Sequence, residues 1–296
     1  MTQADKQTPN STNFPATIST TDFQQWHRFI QDHCYRWQGV LSRYSQQGQL
    51  TDVFDSIRHF TVNDDASSIN HALNFTHRTN PGRSLIKAWN VEKCSPGITH
   101  PVDPKSQAFF TTYGSGIMSR PFNPEETNYA ELYLNCAHYR TSMVIMYHPE
   151  EKDFKLAQIS LFRETRTDDL ATFWSVDQCD LLAPISSSIQ LANQSITITK
   201  TIQFNSLSLA ESEITIDVDF YSDGDDRQIF LFPDGLALNI PVQLTPGTEH
   251  YLIMSWAYES GKIKGEFKKI KRAIAQFPAD GAMPLLVTQI GELVEK

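Results

Sequence analysis

The stretch Tyr35-Arg36-Trp37-Gln38-Gly39-Val40-Leu41-Ser42-Arg43-Tyr44 decides how this chain is read. Its aromatic, glycine and arginine pattern suits a strand that starts a small closed barrel. Just upstream, Thr21-Asp22-Phe23-Gln24 fits a capping box, with threonine at the cap and glutamine three residues on. Phe23, Trp26, Phe29 and Ile30 then share one helical face, and that period is lost at Trp37. The sequence therefore predicts a helix ending near Cys34. A helix of this length does not stand alone in water, so it closes the open end of a barrel or lies on its side.

Downstream, short strand-like segments alternate with turn signals. They fall at 56–62, 69–77, 84–91, 107–113, 116–120 and 130–136, then at 140–147 and 154–164 as a hairpin. A charged stretch at 165–169 reads as a domain boundary. A second series follows at 195–204, 213–221, 229–232, 236–240, 251–258 and 263–270. Even spacing without long helices signals an all-β barrel or sandwich. The expected fold is all-β: two tandem antiparallel barrels, at 21–167 and 168–296, behind a flexible polar tail at 1–20.

Composition narrows the function classes. The apolar fraction is 40%, with 18 Phe, 10 Tyr and 5 Trp, which supports a packed core and excludes a mainly disordered chain. A net charge of −9 argues against non-specific nucleic-acid binding. No apolar run approaches the length of a membrane span. Cys34, Cys94, Cys136 and Cys179 are far apart and form no C-x-x-C pair, so reduced thiols and a cytoplasmic setting are expected. Within the acidic chain, 262–272 holds Lys262, Lys264, Lys268, Lys269, Lys271 and Arg272 against one acid, Glu266. This is either a lysine-protected strand edge or a contact patch for an acidic protein partner.

Lipocalins open on Gly-x-Trp, whereas here the order is Trp37-x-Gly39. The stretch resembles instead the Trp-x-Gly-x-Trp-x-Arg-Tyr opening of a cyanobacterial and plastid family of tandem lipocalin-like (calycin) proteins, related to plastid ATP-synthase biogenesis factors. Trp37, Gly39, Arg43 and Tyr44 match, and Leu41 replaces the second tryptophan. In the second half, 232–241 is similar to a Pro-Asp-Gly-x-x-x-Asn-x-Pro stretch of the same family. The resemblance implies two calycin-type barrels of about eight strands, each filled by side chains or holding one small ligand.

No nucleophile elbow, phosphate loop, dinucleotide fingerprint or zinc-ligand set is complete, so no catalytic residue, metal or cofactor is assigned. Asp223-Gly224-Asp225-Asp226 reads as a hairpin turn rather than a calcium loop. Candidate ligand contacts are Trp37, Arg43, Tyr44, His71, Tyr113, Tyr133, Tyr147 and Arg163, with Tyr139 and His77 as neighbours. Arg163 is the expected cation–π partner of Trp37, a contact that equally well seals a barrel end. The leading reading is a non-enzymatic binding protein for a hydrophobic ligand or a protein partner, in the manner of an assembly factor. The alternative is a phycobilin lyase-like chaperone holding a tetrapyrrole, with Asp64, Asp65, Arg78 and Arg83 as its polar contacts.

Overall fold

Period-two alternation becomes strand after strand in the computed structural model, which describes residues 23–166, 174–175, 179–182, 194–205, 210–213, 226–258 and 269–295. Among the described residues one α-helix, α1 (Gln24–His33), leads into β1 (Arg36–Ser45), β2 (Leu50–Val62), β3 (Ser68–His77) and β4 (Leu85–Glu92). The first half continues through β5 (Ile98–Thr99), β6 (Gln107–Phe110), β7 (Ser115–Ser119), β8 (Asn128–Cys136), β9 (Tyr139–Glu150) and β10 (Asp153–Thr165). The second half holds β11 (Asp180–Leu182), β12 (Gln194–Asn205), β13 (Ala210–Glu213), β14 (Arg227–Phe232) and β15 (Leu236–Pro241). It ends with β16 (Gln243–Leu244), β17 (His250–Tyr258), β18 (Lys269–Phe277) and β19 (Leu285–Glu295).

The first sheet runs β4-β3-β2-β1-β10-β9-β8-β7-β6-β5, all antiparallel, and curls into a nearly closed barrel. Its two edges, β4 and β5, come together across one seam. There Trp89 and His100 face each other at 6.2 Å between ring centroids, so side chains close what the ladder leaves open. The second sheet runs β11-β14-β15-β17-β18-β19-β12-β13. Thus the chain is all-β, with one barrel and a second antiparallel sheet in tandem.

Helix α1 plugs one end of the barrel. The Gln25 side chain accepts from the Phe110 amide at 2.8 Å and donates to the Phe110 carbonyl at 3.1 Å, extending β6 by one amide pair. Trp26 is fully buried and its indole donates to the Ala66 carbonyl at 2.8 Å. The cap position falls on Phe23, which makes no side-chain cap bond, and Thr21, the expected cap, lies outside the described residues. Packing of Trp26 and Phe29 against the barrel holds the helix instead.

Side-chain alternation gives the barrel wall two different faces. On β1, Trp37, Gly39 and Leu41 point inward, whereas Val40 and Tyr44 join a large core outside the barrel. On β10, Phe162 and Glu164 point inward, while Ile159 and Leu161 point out. That outer face is covered by the second half. Leu132, Leu134, Met143 and Ile145 of the barrel share one apolar cluster with Leu238, Met254, Trp256 and Ala273. Backbone also crosses over: β16 pairs with Phe154 and Lys155 of β10. Polar ties add to this, including Lys271 Nζ to the carbonyls of Tyr113 (2.9 Å) and Asn135 (2.6 Å).

Several sequence expectations shift. Of the strand expected at 263–270, residues 263–268 lie outside the described residues; the described strand β18 runs from Lys269 to Phe277, and β19 had no counterpart in the sequence reading. The cleanest alternation, 213–221, lies outside the described residues except for Glu213, as do the Asp223–Asp225 turn, the boundary at 168 and the tail.

Candidate functional site

The inner face of the barrel is not filled. A cavity of about 180 Å³ lies between α1, the seam and the strands β2–β10, walled by rings that include Phe29, Phe60, Phe110, Trp89, Tyr133 and Phe162. Its polar end is a buried ion cluster assembled by register. Ser56, Gly39, Glu164 and Arg140 sit opposite one another across β2, β1, β10 and β9. A Cβ at position 39 would run into the Arg163 carbonyl and lie 2.8 Å from the Glu164 Cα. Glycine is therefore required there, and its bare backbone opens the lane through which the Glu164 carboxylate crosses toward β2.

That carboxylate is heavily bonded. Arg58 donates from Nε (2.7 Å) and Nη2 (2.5 Å), Arg140 from Nε (3.0 Å) and Nη2 (2.7 Å), and Ser56 Oγ lies at 3.3 Å. Both guanidiniums also lie over rings: Arg140 over Trp37 at 4.2 Å, and Arg58 over Phe162 at 4.3 Å. Arg140 Nη1 donates to His33 Nδ1 at 3.2 Å. A fourth charged group, Glu131, accepts from Ser142 Oγ at 2.7 Å, and its Oε1 stands 4.0 Å from Arg58 Nη1.

Burial alone raises the Glu164 carboxyl, but the two arginines more than reverse it and hold it at about 2. Burial first, then the Arg58 charge, brings the His71 imidazole down to about 3. His33 is held well below the usual histidine range by burial and by Arg140. Burial raises the Tyr133 phenol well above its usual range, helped by Glu131. At pH 7 these shifts keep His33, His71 and Tyr133 neutral and Glu164 ionised. The arrangement can recognise and orient.

The candidate residues scatter over both faces. His71 and Tyr133 line the cavity; His71 stacks on Phe60 with centroids 3.9 Å apart. Trp37 lies beneath the ion cluster, its indole donating to the His33 carbonyl at 2.8 Å. The arginines over it are Arg140 at 4.2 Å and Arg166 at 5.1 Å, not Arg163. Arg163 faces outward and donates to Asp234 at 2.7 Å and Ser42 at 3.1 Å, tying the two halves together. Arg43 lies over Phe54 at 5.0 Å, and Tyr44 packs on Phe232 in the outer core. Tyr147 donates to the Pro241 carbonyl at 2.8 Å, and Tyr113 accepts from Lys200 at 2.6 Å. These five are structural contacts, not cavity walls.

The basic stretch is also corrected. Lys271 and Arg272 are only 8% and 5% exposed, so neither belongs to a surface patch. Lys269 is exposed, and Lys262, Lys264 and Lys268 lie outside the described residues. Arg78 pairs with Asp55 at the surface, Arg83 pairs with the buried Asp52, and the Asp65 carboxylate caps the Ser67 amide. None of Asp64, Asp65, Arg78 or Arg83 lines the cavity. Arg58, Glu131, Arg140 and Glu164 escaped the sequence reading. Their signal was a charge recurring at the parity of apolar neighbours, as in Arg58-x-Phe60 and Glu131-x-Tyr133.

Residues 22–169 match the family described as "Domain of unknown function (DUF3598), N-terminal", which spans this barrel and its helix. The chain belongs to the DUF3598 family. A solved DUF3598 protein of unknown function from Nostoc punctiforme aligns with 91% of this chain and 99% of its own, at 16% identity and a TM-score of 0.57. The likeness to that DUF3598 structure is one of fold. An S-type phycobiliprotein lyase, CPES of Guillardia theta, aligns with 49% of this chain and 93% of its own, at 11% identity and a TM-score of 0.36. No curated protein matches this DUF3598 chain in sequence. Among its described residues, no helix is long and apolar enough to cross a membrane.

Proposed function

We propose that this DUF3598 protein is a non-enzymatic binder of a small, ring-bearing hydrophobic molecule, held inside the N-terminal barrel. The observation that carries this reading is the ring-walled cavity of about 180 Å³ bordered by the Trp89–His100 seam. An apolar cavity of about 150 Å³ already holds one benzene ring, whereas drug-sized ligands need about 300–1,000 Å³. The volume therefore suits one or two rings and is small for the four of a whole tetrapyrrole. Locked ionisation at the polar end supports binding over proton-transfer chemistry.

A role in assembly, of the kind implied by the likeness to ATP-synthase biogenesis factors, draws nothing from the family match or from the fold neighbours. An acidic partner seated on 262–272 loses two of its six basic contacts to burial. Native mass spectrometry on protein purified from its natural source, before and after denaturation, tests the ligand reading. Release of a molecule of one or two rings is the expected result. A bare chain whose melting temperature is unmoved by any small aromatic compound would sink it.

A further inference from the structure

The polar end of the cavity is specific about what it can accept. Arg58 commits Nε and Nη2 to Glu164, which leaves Nη1 facing Glu131 Oε1 across 4.0 Å. That gap is too long for a direct hydrogen bond and has the span of one bridging oxygen. An oxygen about 2.8 Å from each atom completes a triangle on this base. Such an atom accepts from the guanidinium and donates to the carboxylate. A hydroxyl does both, whereas an ether or ketone oxygen can only accept.

Charge narrows the choice further. Arg58 and Arg140 stand against Glu164 and Glu131, two positive groups against two negative ones, all buried. A ligand anion placed at the gap meets Glu131, and a ligand cation meets Arg58. Either one also adds an unmatched charge to a buried site, where such a charge is expensive. The walls beside the gap are Phe60, Tyr133 and Phe162, which offer ring faces and edges to a flat body.

We infer that the site takes an uncharged aromatic ring bearing a hydroxyl group, with the ring among Phe60, Phe110 and Phe162 and the hydroxyl bridging Arg58 Nη1 and Glu131 Oε1. This rests on the binding reading above and names the ligand class within it.

Calorimetric titration of the full chain with toluene, phenol, anisole, benzoate and benzylamine tests it. Phenol should bind about tenfold or more tightly than toluene and anisole, the increment of a hydrogen bond to a charged group. Benzoate and benzylamine should bind more weakly than toluene. Glu131→Gln should narrow the phenol–toluene difference, because an amide oxygen accepts more weakly than a carboxylate. If that variant does not fold, the phenol–anisole difference on the unaltered chain decides alone. Phenol equal to toluene, or benzoate tightest of the five, overturns the hydroxyl assignment while the barrel remains a binder. No binding by any of the five removes the binding reading itself.

Discussion

The inner and outer faces of β8 differ at every step. Outward, Ala130, Leu132 and Leu134 pack into the apolar core shared with the second half. Inward, Glu131 and Tyr133 border a cavity and a cluster of buried charge. The same contrast runs along β10, where Leu161 and Arg163 serve the junction and Phe162 and Glu164 serve the interior. In this wall the outer face packs aliphatic side chains against the second half, while the inner face carries the cavity and the ion cluster.

Removing the charge on Glu164 breaks the inner face hardest. Glu164→Gln leaves Arg58 and Arg140 buried with no ionised partner between them. Losing one member of a buried ion cluster costs about 3–5 kcal/mol. Urea denaturation should show a loss of that size, and a loss below about 1 kcal/mol would mean that water reaches the cluster.

Adjacent substitutions on β8 separate the faces directly. Leu132→Ala opens a hole in the shared core and should cost about 3 kcal/mol. Tyr133→Phe, one residue on, removes only a hydroxyl and should cost about 1 kcal/mol or less. Equal losses at the two positions would mean that the inner face is as tightly packed as the outer one.

Acid sharpens the contrast more gently. His71 sits near 3 in the folded protein against 6.5 when free, so the unfolded chain binds a proton that the folded chain refuses. Its share of the stability is complete above pH 6.5 and falls as pH drops toward 3, by about 2 kcal/mol at pH 5. Glu164, near 2 against 4.5, adds a second loss below pH 4.5. Thermal melts between pH 7.5 and 5 should show this slope, and His71→Phe should make it shallower. An unchanged slope in that variant would place the acid sensitivity elsewhere.

Strand positions were largely legible, because alternation is local and the turns between strands carry their own residues. Parity was not. Leu161-Phe162-Arg163-Glu164 gives no local reason for choosing which of its two charged residues points inward. A shift of one residue exchanges the faces, so Arg163 was assigned to Trp37 when Arg140, opposite Glu164 on β9, lies over it. The lysine-rich stretch misled for a different reason. Lys271 is buried because two carbonyls more than 130 residues away, at Tyr113 and Asn135, receive its ammonium. Contacts at that separation leave no trace in the local pattern. The Trp37-x-Gly39 pair was legible as a barrel opening, yet the purpose of the glycine, a lane for Glu164, emerges only from strand register.

The two residues of β16 have a consequence for inheritance. Gln243 and Leu244 occupy the outer end of β10, and the Leu156 amide donates to the Val242 carbonyl at 2.9 Å. A gene encoding only the barrel would specify a strand end with bare backbone donors and acceptors beside an uncovered aliphatic wall, an invitation to self-association. The barrel cannot be shuffled between proteins as a cassette. Recombination must carry both halves, or replace the second with something that supplies the same short strand.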